Sequence, residues 1–261
     1  MNSQTTRLVD THAHLCDPVF DTDRTEVLDR AREVGMAAVI AVGEDLKDAE
    51  KNIELATAHS MIRPAAGLYP THLSLERAEE MRRFIRTHAD RLIAIGEVGL
   101  DYWAVQEETQ RELQREILAG FILLARELSL PLNVHSRSAG RHAVAFLLRH
   151  EAARVQLHAF DGNSAAALPA VEAGFFFSIP PSIVRSEQKK KLVRRLPLDC
   201  LLVETDSPVL GPKPQERNEP ANALLSIQAI AEIKGVSRAE VAEAVSENTR
   251  RLYGDLVLTP A

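Results

Sequence analysis

Eight short apolar runs recur along this 261-residue chain, near 8–14, 37–43, 65–70, 92–99, 131–135, 155–160, 174–179 and 201–205. Several are continuously apolar rather than alternating, which is the pattern of parallel strands covered on both faces. Helical periodicity fills the gaps: 22–34, 47–59, 75–88, 107–128, 140–150, 164–173, 186–195, then 221–234 and 238–252. The clearest is 107–128, where Leu113, Ile117, Phe121, Leu124 and Leu128 form one stripe at spacings of three and four. Ser237 is the expected N-cap of the last helix. Eight strand–helix alternations in a chain of this length predict an α/β fold. The best match is a (β/α)8 TIM barrel occupying 1–261 as a single domain. A doubly wound open sheet shares the alternation, so the choice rests on which side chains must meet.

Most of the runs that matter end in a metal-ligating residue type. His12 and His14 close the first run, and residues two apart on a strand point to one face. Glu97 follows Leu92-Ile93-Ala94-Ile95-Gly96, His135 ends the fifth run, His158 lies in the sixth, and Asp206 follows the eighth, just before Ser207-Pro208. A carboxylate such as Glu97 inside an apolar barrel needs a cation partner. Its two oxygens could serve two metals, and the flanking Gly96 and Gly99 are expected to clear room for metal or substrate. Glu204 shares a face with Asp206 and reads as a deeper supporting residue. His59, His88, His142 and His150 fall in helical patterns and read as surface residues. Ligands from strands 1, 4, 5, 6 and 8 converge at the C-terminal rim of a closed barrel, whereas an open sheet holds its edge strands apart.

Composition narrows the partners. With net charge -6, no large basic face is available for nucleic acid, which leaves a local cationic site of metals and a few arginines. Two cysteines, Cys16 and Cys200, form no CxxC motif and fit a reducing compartment. Met1 to Thr6 lack a signal-peptide core, and no apolar run approaches membrane-span length. The expectation is a cytoplasmic protein with no membrane or obligate protein partner, and a monomer by default.

Five stretches together are specific: Asp10-Thr11-His12-Ala13-His14-Leu15, Ile95-Gly96-Glu97-Val98-Gly99-Leu100-Asp101, Leu130-Pro131-Leu132-Asn133-Val134-His135-Ser136-Arg137, His158-Ala159-Phe160-Asp161-Gly162 and Glu204-Thr205-Asp206-Ser207-Pro208. With Arg217-Asn218-Glu219-Pro220 after them, the chain resembles the TatD family of metal-dependent deoxyribonucleases, within the amidohydrolase-like barrel superfamily. Stretches 133–140 and 176–185 look most like its type 3 subgroup. The resemblance implies a (β/α)8 hydrolase with two divalent ions (zinc, manganese or magnesium). One would be held by His12, His14, Glu97 and Asp206, the other by Glu97, His135 and His158. Where the family often has Gly-x-His-Pro, this chain has Gly67-Leu68-Tyr69-Pro70, with His72 two residues beyond as a candidate substitute.

The expected reaction is phosphodiester cleavage in nucleic acid, exonucleolytic on single-stranded DNA. Water activated by metal attacks, and Asp206 is the general base. Arg137 and Arg217 are candidate phosphate clamps, each with a rim salt bridge as the alternative. Tyr69, Tyr102 and Trp103 are candidate base-stacking residues. The same ligands could hydrolyse an ester or amide, as a D-aminoacyl-tRNA deacylase does. A catalytically silent barrel that only binds is the third reading, disfavoured by the complete ligand set. The long loop 208–220, with four prolines, reads either as substrate-contacting or as a rigid connector.

Overall fold

A computed structural model describes residues 7–255; residues 1–6, on which the leader expectation rested, and 256–261 lie outside the described part. The order is β1 (Leu8–Ala13), α1 (Arg24–Glu33), β2 (Met36–Ala41), α2 (Leu46–Ala58), β3 (Ile62–Ala66), α3 (Leu75–Thr87), β4 (Ala94–Gly99), α4 (Glu108–Leu128), β5 (Leu132–His135), α5 (Gly140–Arg149), β6 (Val155–Leu157), α6 (Ser164–Glu172), β7 (Phe176–Ile179), α7 (Glu187–Arg195), β8 (Leu201–Val203), α8 (Ala223–Lys234) and α9 (Arg238–Tyr253). The strands pair in parallel and in chain order, β1 through β8. This is the (β/α)8 TIM barrel.

The seam between β8 and β1 is closed by fewer, more specific bonds. The Asp206 N–H donates to the His12 carbonyl (2.8 Å) and the His14 N–H to the Ser207 carbonyl (2.7 Å). Below them the buried Asp10 carboxylate accepts from the Thr205 N–H (2.8 Å) and hydroxyl (2.5 Å). The seam therefore sets His12, His14 and Asp206 side by side.

Helix packing follows the sequence pattern. Ile117, Phe121 and Leu124 of α4 are buried against the barrel. The helix stops at Ser129, whose left-handed φ of 54° turns the chain so that the Leu130 N–H meets the Ala125 carbonyl (3.0 Å). Ser237 caps α9 as expected, with Glu240 completing a capping box.

One strand is displaced from its expected position. β3 covers Ile62–Ala66, whereas the sequence pointed to 65–70. Arg63 and Pro64 interrupt the apolar pattern, and proline inside a run argues against a strand. Here Pro64 pairs with Ala41, and its carbonyl accepts from the Ile93 N–H (2.9 Å), so the ladder tolerates it. The apolar residues 67–70 form the rim loop that carries Tyr69. No helix among the described residues is long and apolar enough to cross a membrane.

Candidate metal centre

Because strand side chains alternate, residues two apart along a barrel strand enter the interior in successive layers. On four strands and the residues just past their ends this builds a polar pair of layers. Asp10, Asn133, Gln156 and Glu204 lie two residues before His12, His135, His158 and Asp206, and all four deeper residues are fully buried. The upper layer holds donors aimed at one another, while the lower layer fixes their orientation.

His12 Nε2, His14 Nε2, Glu97 Oε2 and Asp206 Oδ1 form one compact set. The separations are 3.3 Å for His12–His14 and His14–Glu97, 3.4 Å for His12–Asp206, 3.5 Å for His14–Asp206 and 3.7 Å for His12–Glu97. Tetrahedral bonds of about 2.1 Å place neighbouring donors about 3.4 Å apart, and these five separations are close to that value. The other oxygen, Glu97 Oε1, faces His135 Nδ1 (2.6 Å) and His158 Nε2 (3.7 Å). Glu97 thus has one oxygen toward each pair of imidazoles. Clusters His12–His14–Glu97 and Glu97–His135–His158 both bring one ligand atom per residue into mutual reach.

The second ring nitrogens of three of the four histidines are committed elsewhere. His12 Nδ1 meets Asn133 Oδ1 (2.8 Å), His135 Nε2 meets Asp101 Oδ2 (3.2 Å) and His158 Nδ1 meets Glu204 Oε2 (3.0 Å). With a cation at the centre, a proton on each of those nitrogens would leave the opposite nitrogen as an electron-pair donor toward it; without one, the 2.6 Å contact of His135 Nδ1 with Glu97 Oε1 is a hydrogen bond that carries a proton. Glu204 is itself held by Ser178 (2.5 Å) and by the Ala159 N–H (2.8 Å), so it orients His158 and supports the centre from below. Asn133 and Asp101 were not assigned roles from sequence. Asn133 was detectable as a polar residue inside an apolar run, in period with His135.

Electrostatics bind the cluster together. Burial alone would raise the Glu97 carboxyl, but His135 and His12 beside it hold it well below the usual carboxylate range. Asp206 is depressed in the same way, against burial, by His158 and His12. Burial opposes charge on His14, yet Asp206 and Glu97 push its pKa well above the ordinary value. Such a nest of buried carboxylates and imidazoles demands cations, either protons or metal ions.

Two backbone features shape the centre. Asp206 adopts φ 56°, a left-handed conformation that aspartate tolerates better than most residues. Gly99 has φ 153°, and a Cβ there would stand 2.0 Å from the His135 carbonyl oxygen; a Cβ on Gly96 would stand 2.6 Å from Asn133 Cβ. The space these glycines clear is thus taken by β5, not by metal or substrate as their sequence position suggested. The glycines let β5 approach β4, which brings His135 to Glu97.

Above the donors lies a cleft of about 320 Å³ lined by His14, Asp17, Glu44, Asp48, Tyr69 and Val209 among others. Tyr69 packs edge-on against His135 with ring centroids 5.0 Å apart, and its hydroxyl points at Asp101 (3.5 Å). Burial pushes that hydroxyl's pKa up, so it remains a donor. Arg137 stands exposed at the outer rim with its guanidinium 3.6 Å over the Trp103 ring. Tyr102 is packed inward, holding Arg115 through its hydroxyl (3.0 Å), and presents no stacking face.

The remaining expected contacts are engaged elsewhere. Arg217 forks onto Asp23 (2.5 and 2.8 Å) and the Val19 carbonyl (2.9 Å), away from the cleft lining. This is the rim salt bridge rather than a free phosphate clamp. Its neighbour Glu219 pairs with Arg30 (2.7 Å), so the end of loop 208–220 straps β8 to α1, while Pro208 and Val209 at its start line the cleft. His72 also lies outside the lining, bonded to Arg77 (3.0 Å).

The comparisons with known proteins agree with this arrangement. The sequence model of the family described as TatD related DNase matches residues 9–254. A human protein named deoxyribonuclease TATDN3 is 44% identical, over 95% of both chains. A Bacillus subtilis protein, an uncharacterized metal-dependent hydrolase named YabD, is 32% identical over 94% of this chain and 98% of its own. The crystal structure of the TatD homolog YjjV from Escherichia coli superposes with a TM-score of 0.87 at 28% identity, covering 95% of this chain and 98% of that one. A match across nearly the whole barrel, with the buried donor set in place, leaves one assignment: the chain belongs to the TatD-related DNase family.

Proposed function

We propose that this protein is a two-metal phosphodiesterase that removes nucleotides from the end of single-stranded DNA. The observation that carries the reading is Glu97, whose two oxygens face different pairs of imidazoles at the floor of a cleft, with His12 of one pair stacked on His158 of the other (3.7 Å between ring centroids). His12, His14, Glu97 and Asp206 would hold one divalent ion, and Glu97, His135 and His158 the second. Ions bound there supply Lewis acidity toward a phosphate oxygen and acidify the attacking water.

The chain's own groups do the rest. Asp206 stays ionised at neutral pH beside its imidazoles and is available to take the water's proton. Tyr69 stays protonated and can donate to a non-bridging phosphate oxygen, in the place where relatives often carry histidine. The β1–β2 side of the cleft is acidic, with Asp17, Glu44 and Asp48 in its lining. A polyanion does not continue across that wall, which favours a strand end over a strand interior.

The test is chelated protein resupplied singly with zinc, manganese or magnesium. It is assayed in parallel on end-labelled single- and double-stranded DNA and on D-aminoacyl-tRNA. Mononucleotides released progressively from single strands are expected. Ester turnover on aminoacyl-tRNA without nuclease turnover rejects the reading.

The histidines also set a pH signature. Burial opposes charge on His135, but Glu97 and Asp101 raise its pKa from 6.5 to about 9. A raised histidine contributes stability that is complete below its unfolded value and is lost as pH rises through its folded value. Buried Asp10, pushed up to about 7, has no further effect above that pH. In chelator the melting temperature should therefore fall as pH rises from about 7 through about 9. Bound divalent ions displace those protons, so the metal-loaded protein should show a flatter profile. Melting curves in chelator that are level across this window contradict the assignment.

A further inference from the structure

Trp103 is the chain's single tryptophan, and the residue is 60% exposed in the loop after β4. Large exposed indoles are uncommon, and this one is held in a defined place. Its backbone N–H and that of Ala104 donate to Asp101 Oδ1 (3.0 and 2.8 Å), while Asp101 Oδ2 meets His135 Nε2 (3.2 Å). The carboxylate that orients one candidate metal ligand thus also pins the loop that displays the indole. The Arg137 guanidinium lies over the ring at 3.6 Å. Among the described residues Arg137 makes no ion pair, unlike Arg217 on Asp23, Arg30 on Glu219 and Arg86 on Glu127. Its charge reaches Tyr69, which lines the cleft.

We propose that Trp103 and Arg137 form a subsite outside the cleft for single-stranded nucleic acid, in which one nucleobase stacks on the open indole surface and Arg137 holds the neighbouring backbone phosphate. This rests on the phosphodiesterase reading above and adds where the strand goes. Indoles stack on any base, and guanidinium forks match phosphate oxygens, so the pair recognises single strands without reading sequence. A duplex keeps its bases stacked on one another and offers the indole none. The acidic wall of Asp17, Glu44 and Asp48 repels the polyanion on the β1–β2 side. The strand therefore leaves the cleft past the β4 and β5 ends, over Arg137.

Because Trp103 is the chain's only indole, its fluorescence reports on the subsite directly and requires no turnover. Protein in chelator is titrated with single-stranded oligothymidylate, with an abasic deoxyribose-phosphate strand of equal length, and with duplex DNA. Oligothymidylate is expected to quench the emission, and the abasic strand and duplex to leave it near its starting level. By fluorescence anisotropy of labelled oligothymidylate, Trp103→Ala should weaken binding about 5- to 150-fold, with a smaller change for the abasic strand. Trp103→Phe should keep most of the affinity. Arg137→Gln should weaken both strands and flatten the salt dependence. Equal quenching by the abasic strand, or unchanged affinity in Trp103→Ala, overturns the subsite. Hydrolysis of bis(p-nitrophenyl) phosphate by wild-type protein separates the two levels. Turnover of that ester with no response to oligothymidylate sinks the subsite alone, whereas no turnover of any phosphodiester under any metal sinks the reading beneath it.

Discussion

If Asp206 is the general base proposed above, Asp206→Asn is expected to lower kcat on single-stranded DNA by roughly 10²- to 10⁴-fold, the range a positioned general base contributes. The substitution keeps size and shape, and asparagine accepts the left-handed φ of 56° that this position requires. The Asp206 N–H bond to the His12 carbonyl is a backbone contact and survives, so the β8–β1 seam should remain closed. What disappears is a negative oxygen 3.4 Å from His12 Nε2 and 3.5 Å from His14 Nε2. The variant should bind metal more weakly at that position, yet recover much of its occupancy when metal is raised. Turnover should not recover with it. Single-turnover cleavage measured at saturating metal separates the two effects. Near wild-type rates would remove Asp206 from the proton-transfer role, and full rescue by excess metal would reduce it to a ligand.

Glu97→Gln should have the broader effect, because one carboxylate faces both imidazole pairs. Altering the residues that merely orient a ligand already costs 10- to 100-fold in metal affinity. Loss of the shared carboxylate should exceed about 100-fold and weaken both ions together. His14→Ala, by contrast, should impair only the set formed with His12 and Asp206. The two titrations, followed by calorimetry or by metal analysis after gel filtration, should differ in stoichiometry: none tightly held for Glu97→Gln, one for His14→Ala. Independent loss of a single ion in Glu97→Gln would contradict the bridging arrangement. Activity should follow occupancy in both variants.

Much of this centre is legible in the sequence, for a definite reason. In a parallel barrel the strands are short, buried on both faces and strictly alternating, so a polar residue at the end of an apolar run has only one place to point. His12, Glu97 and His135 obey that rule within their strands, while His14, His158 and Asp206 lie just past the strand ends, Asp206 in a left-handed conformation, and still face the centre. The same rule with one more step back along each strand exposes Asn133, Gln156 and Glu204, of which only Glu204 had been singled out. Asp101 has no such periodic signal, since it lies in the loop after β4 and its role depends on where the Gly99 contact lets β5 settle.

The misplacements also have physical causes. β3 was shifted because Arg63 and Pro64 break the apolar pattern inside the strand while Leu68 and Pro70 extend it outside. Arg217 drew attention because it follows the last strand in a proline-rich loop. Its partner Asp23 is 194 residues away in sequence, and nothing local announces the pairing. Rim side chains are set by contacts between loops, which strand periodicity does not encode.

Anomalous diffraction from crystals grown with manganese or zinc tests the central claim most directly. The account predicts two peaks, one among His12, His14, Glu97 and Asp206 and one among Glu97, His135 and His158, with Glu97 touching both. A single peak without Glu97, or peaks only at surface residues in a preparation that still cleaves DNA, would contradict it.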